Sequence, residues 1–390
     1  MIKVLVSDQA YQQLKIDLAA LNPWVHGKDY VLLPLSQTTM GEDIDVAFIS
    51  RDVTGKSTKS HTLASTQAFY DRLINSKRLK WVHIHSAGAD RPIYKELMKR
   101  GAALTTSYGA NALIVAQTAL AAILTLNRNM LSLAASQRAH EWTPLVSSEI
   151  KTLDLEGQNA LVVGRGPVGS AISHYLTMMG VHCEQIRFRQ EAEAGVRAST
   201  QLSTQLSTQL RTQLRTQLSN RSSTTSNTTS ISREGVEASI ENAANAGLVA
   251  ARNFKSHHFT QISSVLPKFQ WLILACPLTP QSKYLIDKEM LSRLPRGAHV
   301  INVARGEVVV EEDLIKALQE GHLGGAYLDV FNLEPLPKES PLWGMKNVIV
   351  TPHSAGHSGG NEGRVQVQFV KNLERFLSNE PLLHLAINEG

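Results

Sequence analysis

With 390 residues, 43% of them hydrophobic and 19% charged, the chain is ordinary globular sequence, long enough for two or three domains that each bury a sizeable core. A formal charge of +5 and a pI near 9.1 make it mildly basic, but no Lys/Arg block interleaved with aromatics occurs, which excludes a nucleic-acid footprint and leaves solubility and an anionic cofactor as reasons for the charge. Its two cysteines, Cys183 and Cys276, sit far apart in apolar runs, so a disulfide framework is excluded, and core thiols in a reducing, cytoplasmic compartment are expected.

In chain order, Ile2 to Ser7 read as a strand that runs straight into Asp8, without the basic stretch, apolar core and cleavage site of a signal peptide. Ala10 to Leu21 have helical spacing, and after a polar stretch Val46 to Ser50 form another strand between Asp45 and Arg51. Tyr70 to Ile74 continue a helix; Trp81 to Ile84 form a strand that opens into His85-Ser86-Ala87-Gly88-Ala89-Asp90. A small-residue loop at the carboxyl end of a strand either holds an anion through backbone N–H groups or is a plain turn. Ala102 to Thr105 add a strand, and Gly109 to Leu126 a long helix, apolar nearly all round, that must be buried or lie between domains. Interrupted by Gln117 and Thr118, its apolar core is too short to span a membrane, and no membrane association is expected. Such alternation makes the first hundred residues one parallel α/β domain.

The stretch Leu161 to Arg189 has a different character. An apolar run ending at Val163 is followed by Gly164, Arg165, Gly166, Pro167, Val168 and Gly169, a G-x-G-x-x-G turn, and then by helical spacing through Met179. In this pattern the first glycine permits a tight turn, the second lets backbone approach a pyrophosphate, and the third lets helix pack on strand. Free N–H groups at the helix start face the anion. A second apolar piece, Val181 to Phe188, ends where an acidic residue would take the ribose 2′-hydroxyl. Arg187 stands there instead, with Arg189 two residues on, so a 2′-phosphate and NADP(H) are expected, with NAD(H) as the alternative. Because the fingerprint lies in mid-chain, the preceding domain is expected to supply the substrate side of a cleft.

From Gln190 to Ile262 the composition shifts. Ser199 to Leu218 repeat T-Q-L with Ser or Arg in fourth place, and Ser219 to Ser232 are almost wholly Ser, Thr, Asn and Arg. A four-residue period drifts around a helix by about forty degrees per repeat, so the leucines cannot form one stripe. The segment is read as a disordered or marginally helical surface insertion, the sharper alternative being a partner-binding helix. Order is expected again from Phe269 to Ala275, followed by a helix over Lys288 to Leu294, a strand over Ala298 to Val303, a helix over Glu311 to Gln319, strands over Ala326 to Val330 and Val348 to Thr351, and a closing amphipathic helix from Asn361 to Leu377.

Three strand ends deliver a polar residue into a loop: Arg305, Glu334 and His353. Each alone has a plain reading as a surface contact, an ion-pair partner or a loop histidine. Beside a dinucleotide fingerprint they form a working set. Hydride addition to a ketone leaves charge on oxygen, so a proton donor that titrates near neutrality is needed, and His353 supplies one. Glu334 is suited to stabilise its imidazolium, and Arg305 to hold a substrate carboxylate through two hydrogen bonds while polarising the carbonyl. No metal site is expected.

The runs INVARGEVVVEEDLIKAL, GGAYLDVFNLEPLP with SPLW, and TPHSAG resemble the D-isomer-specific 2-hydroxyacid dehydrogenases. HSAGAD, GANALIVAQTAL, QRAHEW, GRGPVG and CPLT extend the resemblance over nearly the whole chain outside the insertion. It implies an α/β fold of two doubly wound parallel-sheet domains, a Rossmann dinucleotide-binding domain over 109–359 inserted in a flavodoxin-like substrate domain formed by 1–108 and 360–390, with 190–262 as a low-complexity insertion. It further implies Arg305 as carboxylate binder, His353 as acid/base and Glu334 as its partner. Substrate would be held by the backbone of Ser86, Ala87, Gly88 and Ala89, the nicotinamide carboxamide by Asp329, and the cofactor would be lined by Cys276, Pro277, Val303, Ala304, His353, Ala355 and Gly356. Homodimers are common in the family. Departures are Arg187 at the acidic position, Gln117 where Glu is frequent, and Gln270-Trp271 in place of Ala-Asp, a packing difference. The expected activity is NADPH-dependent reduction of small 2-keto acids such as glyoxylate or hydroxypyruvate to D-2-hydroxy acids. The alternative is a catalytically silent NAD(P)-sensing protein that docks through its insertion.

Overall fold

The short apolar runs become strands whose alternate residues face opposite sides of a sheet, and each side is closed by helices. The computed structural model describes residues 1–21, 30–55, 57, 61–145, 154–188 and 254–386. Two compact units result: residues 1–111 with 358–390, and residues 112–357.

In the first unit β1 (Ile2–Val6), β2 (Tyr30–Pro34), β3 (Val46–Ile49), β4 (Trp81–Ile84) and β5 (Ala103–Thr106) form a parallel sheet in the order β2-β1-β3-β4-β5. That is the flavodoxin-like order, with its reversal between β1 and β3. On one face Leu5, Ile49, Val82 and Ile84 pack with Phe69 and Leu73 of α3 (Ala64–Asn75) and Tyr94 and Leu97 of α4 (Pro92–Lys99). On the other, Val4, Val6, Phe48 and Trp81 meet Leu14 of α1 (Asp8–Leu21) and Phe369 of α11 (Asn361–Leu377). Phe369 stacks on Phe48 with ring centroids 4.6 Å apart, which ties the chain's last long helix to its first strands.

In the second unit β6 (Asn159–Val163), β7 (His182–Arg187), β8 (Ser256–His258), β9 (Trp271–Leu274), β10 (Ala298–Asn302), β11 (Leu323–Leu328) and β12 (Val348–Val350) lie parallel in the order β12-β11-β10-β9-β6-β7-β8. The order reverses between β6 and β9, which marks the ligand crevice of a doubly wound sheet. The apolar α5 (Ala112–Asn127) packs through Ala116, Ala119 and Ile123 on α7 (Pro167–Met178) and the sheet. The residue pair Gln270-Trp271 closes the base of β9. Gln270 accepts from Asn159 N at 2.9 Å, and Trp271 donates to Gln158 at 2.7 Å while stacking on His299.

Some elements were not expected. The helices α4 and α6 (Met130–Ala139) form where no element is expected, and β2 lies within the polar stretch. An edge strand pairs on one side only, and β2 is half-exposed except at Pro34, so no alternation marks it. Order also resumes earlier than Phe269. Phe254 to Lys268 belong to the fold through β8, α8 (Ile262–Val265) and the turns beside it, where Ile262, Val265 and Leu266 enter the core. The expected insertion is therefore corrected at its carboxyl end. Its TQL repeats lie outside the described residues, as does Arg189. Among the described residues no helix is long and apolar enough to cross a membrane, and no cluster of His, Cys, Asp or Glu is arranged to hold a metal.

Candidate active site

Gly164 follows β6 with φ +119°, a region that L side chains rarely adopt. A Cβ there would lie 2.5 Å from the Ala275 carbonyl oxygen, and one at Gly169 would overlap the Gly164 carbonyl oxygen. Only glycine lets the ends of β6 and β9 and the first turn of α7 meet backbone to backbone. Gly166 is the N-cap and Pro167 the first helical residue, so proline occupies a position that has no intrahelical acceptor in any case. The N–H groups of Val168 and Gly169 then belong to the open first turn, where an anion is favoured by hydrogen bonding and by the helix dipole. This cradle fits a dinucleotide pyrophosphate. Around it, along the same carboxyl edge, the sheet places Arg187 at the end of β7, Cys276 and Pro277 after β9, and Val303, Ala304 and Arg305 after β10. Burial pushes the Cys276 thiol up to about 12 against the opposing pull of the Arg305 charge, so this thiol stays uncharged and packs as an apolar group.

The Arg305 loop is shaped by a residue with no motif of its own. Asn302, buried at the end of β10, accepts from Ala304 N at 3.0 Å and donates to the Arg305 carbonyl at 3.1 Å. Arg305 in turn places Nη1 on the Ala304 carbonyl at 2.7 Å. The next residue, Gly306, sits so close to Phe331 and Asn332 that any Cβ would overlap their backbone. The loops after β10 and β11 are thereby pressed together, which brings Arg305 into the neighbourhood of Glu334.

Glu334 accepts from Phe331 N at 3.1 Å through Oε1 and faces His353 Nδ1 at 2.9 Å through Oε2. A carboxylate only accepts, so Nδ1 carries the hydrogen toward Glu334. Both side chains remain solvent-accessible, at 46% for His353 and 31% for Glu334. His353 adopts φ +50°, a strained conformation for a non-glycine residue. It is held there by Asp329. The Asp329 carbonyl accepts from His353 N at 2.8 Å, and its buried carboxylate accepts from Ser354 N at 2.8 Å, Ala355 N at 3.0 Å and Thr351 Oγ1. Tyr327 completes the chain by hydrogen bonding Thr351 Oγ1 at 2.8 Å. Burial raises its phenol to about 12, so it stays neutral and serves as donor. Ala355 and Gly356 form the turn that follows, closed by His357 N on the Ser354 carbonyl.

Arg305, Glu334, His353 and Asp329 are thus brought together in the second unit. Ser86 to Ala89 belong to the first, where Ser86 Oγ donates to the Gly88 carbonyl at 2.8 Å and the Ser86 carbonyl accepts from Ser107 N at 3.0 Å. Asn302, Thr351 and Tyr327 were missed as site residues. The only trace the first two leave in sequence is a polar residue closing an apolar strand.

The family model for the D-isomer specific 2-hydroxyacid dehydrogenase NAD-binding domain matches residues 120–253 and 249–355. Solved structures share the fold over the full length. One is a D-isomer specific 2-hydroxyacid dehydrogenase from Xanthobacter autotrophicus Py2 in complex with NADPH and MES, 24% identical with TM-score 0.65 over 99% of this chain and 98% of that one. Another is an NADPH-dependent glyoxylate/hydroxypyruvate reductase from Sinorhizobium meliloti in complex with NADP and sulfate, at 20% and 0.65 over 100% and 99%. A D-isomer specific 2-hydroxyacid dehydrogenase family protein from Aeromonas salmonicida gives 20% and 0.67 over 100% and 99%. With the family model spanning most of the chain around a glycine turn and a histidine–glutamate pair, the protein belongs to the D-isomer specific 2-hydroxyacid dehydrogenases, nicotinamide-dependent oxidoreductases.

Proposed function

We propose that the protein is an NADPH-preferring reductase of small 2-keto acids of the glyoxylate and hydroxypyruvate type, yielding D-2-hydroxy acids. The observation that carries this reading is the 2.9 Å contact between His353 Nδ1 and Glu334, on the sheet edge that also bears Arg305 and the glycine turn. When bound, the reduced nicotinamide supplies the hydride. Arg305 holds the substrate carboxylate and draws electron density from the adjacent carbonyl. His353, protonated on both nitrogens, passes the Nε2 proton to the developing alkoxide, and Glu334 steadies the imidazolium beforehand. Substrate contact is assigned to the backbone of Ser86 to Ala89 as well. The NADPH preference rests on Arg187, a guanidinium at the position where a carboxylate selects the 2′-hydroxyl. The relatives in complex with NADPH or NADP support it.

The test is turnover of glyoxylate, hydroxypyruvate, pyruvate and a branched 2-keto acid, followed by NADPH absorbance. Activity on at least one, abolished in His353→Asn, is expected; no turnover on any defeats the reading. A homodimer in the cytoplasm is part of the proposal, and light scattering in solution checks its stoichiometry.

A further inference from the structure

The NADPH reading leaves the 2′-phosphate with one described partner, Arg187. We propose that His258 is a second residue that reads this phosphate and so helps set the choice between NADPH and NADH; the inference rests on the NADPH preference proposed above.

Both residues end adjacent strands. In the parallel pairing of β7 with β8, Arg187 and His258 are direct partners, a strand spacing of about 4.8 Å apart, at the carboxyl edge where ligands lie. Partners in register project to the same face of a sheet. That face is fixed by Gln185, which donates to Ser173 of α7 at 2.9 Å, two residues before Arg187. So Arg187 and His258 share the α7 side, the side of the helix whose first turn cradles the pyrophosphate. Glu184 and His257 lie on the other face, where Glu184 is engaged by His257 and by Lys255 at 2.8 Å, so this carboxylate is paired on the side away from Arg187 and His258.

The ring is also oriented. His258 Nδ1 meets Thr260 Oγ1 at 2.9 Å, and His258 N donates to Gln261 at 3.0 Å. The Thr260 hydroxyl can donate to Nδ1, and in that tautomer, as in the imidazolium, Nε2 carries a proton and the imidazole is a donor. Phe259 stacks on Phe188 with centroids 5.5 Å apart, clipping the turn after β8 to the end of β7. A phosphate monoester carries three acceptor oxygens and about two negative charges. A planar guanidinium satisfies two of those oxygens in its forked geometry, and an imidazole N–H beside it suits the third.

The experiment is calorimetric titration of NADPH and of NADH into the full chain, its His258→Ala and His258→Gln variants, and Arg187→Ala, with circular dichroism as the check on folding. His258→Gln keeps a polar side chain of similar reach, so it remains informative if the alanine variant folds poorly. The expected result is a fall of about three- to tenfold in the NADPH-to-NADH affinity ratio in both His258 variants, most of it from weaker NADPH binding. A ratio unchanged in the His258 variants but lost in Arg187→Ala overturns the inference and leaves the NADPH reading intact. Equal weakening of both cofactors also overturns it, since that is the mark of a structural role. Unaltered protein that binds NADH as tightly as NADPH removes the 2′-phosphate reading itself, and this inference with it.

Discussion

Glu334 faces His353 at 2.9 Å and has only acceptor oxygens there, so the pair fixes which ring nitrogen holds the hydrogen. An amide at the same place offers an NH2 group that favours the opposite tautomer. Glu334→Gln is therefore expected to lower kcat by about 10²- to 10⁴-fold with KM for the keto acid changed far less. Steady-state kinetics decide it; a loss confined to KM contradicts the assigned role. Arg305 differs, since in the proposed role it would touch substrate in both ground and transition states. Arg305→Gln is expected to raise KM and to lower kcat by about 10²-fold or more, and an effect on kcat alone rejects it as carboxylate binder. The identities of these residues were legible in the sequence because each ends an apolar run in a short motif. Their support was not. Asn302 and Thr351 act through hydrogen bonds to residues two to three positions along or on a neighbouring strand, and nothing local announces such partners.

The loops after β10 and β11 owe their shape to close backbone approach rather than to side-chain bulk, and the loop after β12 to hydrogen bonds from Asp329. Any side chain at Gly306 meets the backbone of Phe331 and Asn332, so the two loops must separate. Gly306→Ala is expected to cost about 1–3 kcal/mol or more and to lower activity beyond that loss, because the displaced residues flank Arg305 and Glu334. A variant with unaltered melting temperature and kinetics refutes the tight contact. Thr351→Val keeps the shape and removes the hydroxyl between Tyr327 and Asp329, leaving a buried carboxylate short of a donor at a cost of about 1–3 kcal/mol, with Thr351→Ser restoring most of it. Elements of this unit with a turn motif or a continuous apolar run could be read directly, as β6, α7 and α10 (Glu311–Gln319) were. The strand β8 could not. Its sequence, Ser-His-His, has no apolar residue, and its place in the sheet comes from pairing with β7 alone. Strands made by tertiary context rather than by their own composition escape a one-dimensional reading.

Each compact unit also holds a histidine whose burial favours the neutral form. In the first unit His83 is buried between Thr105 Oγ1 at 2.7 Å and Ser107 Oγ at 3.1 Å. Ser107 donates its own hydrogen to the Ile84 carbonyl, so it accepts from Nε2–H; Thr105 accepts from the Trp81 indole and donates to Nδ1. Every donor is matched, and a second ring proton has nowhere to go. Burial accordingly lowers His83 to about 3, and in the second unit burial lowers His299, stacked on Trp271, to about 4. Because both folded values lie below the ordinary 6.5, the unfolded chain takes up protons first as pH falls. Stability is therefore fully present above about pH 6.5 and is lost progressively toward 3 to 4, by an amount on the order of 2 kcal/mol per histidine at pH 5. Calorimetric melting between pH 7.5 and about 5, where few carboxylates have yet titrated, should show the midpoint falling with pH. The fall should be shallower in His83→Asn, which lacks the titrating ring, even though that variant begins from a lower midpoint at neutral pH. Parallel curves for the two proteins mean that His83 is not a proton-linked group, and they refute the hydrogen-bond assignment around it.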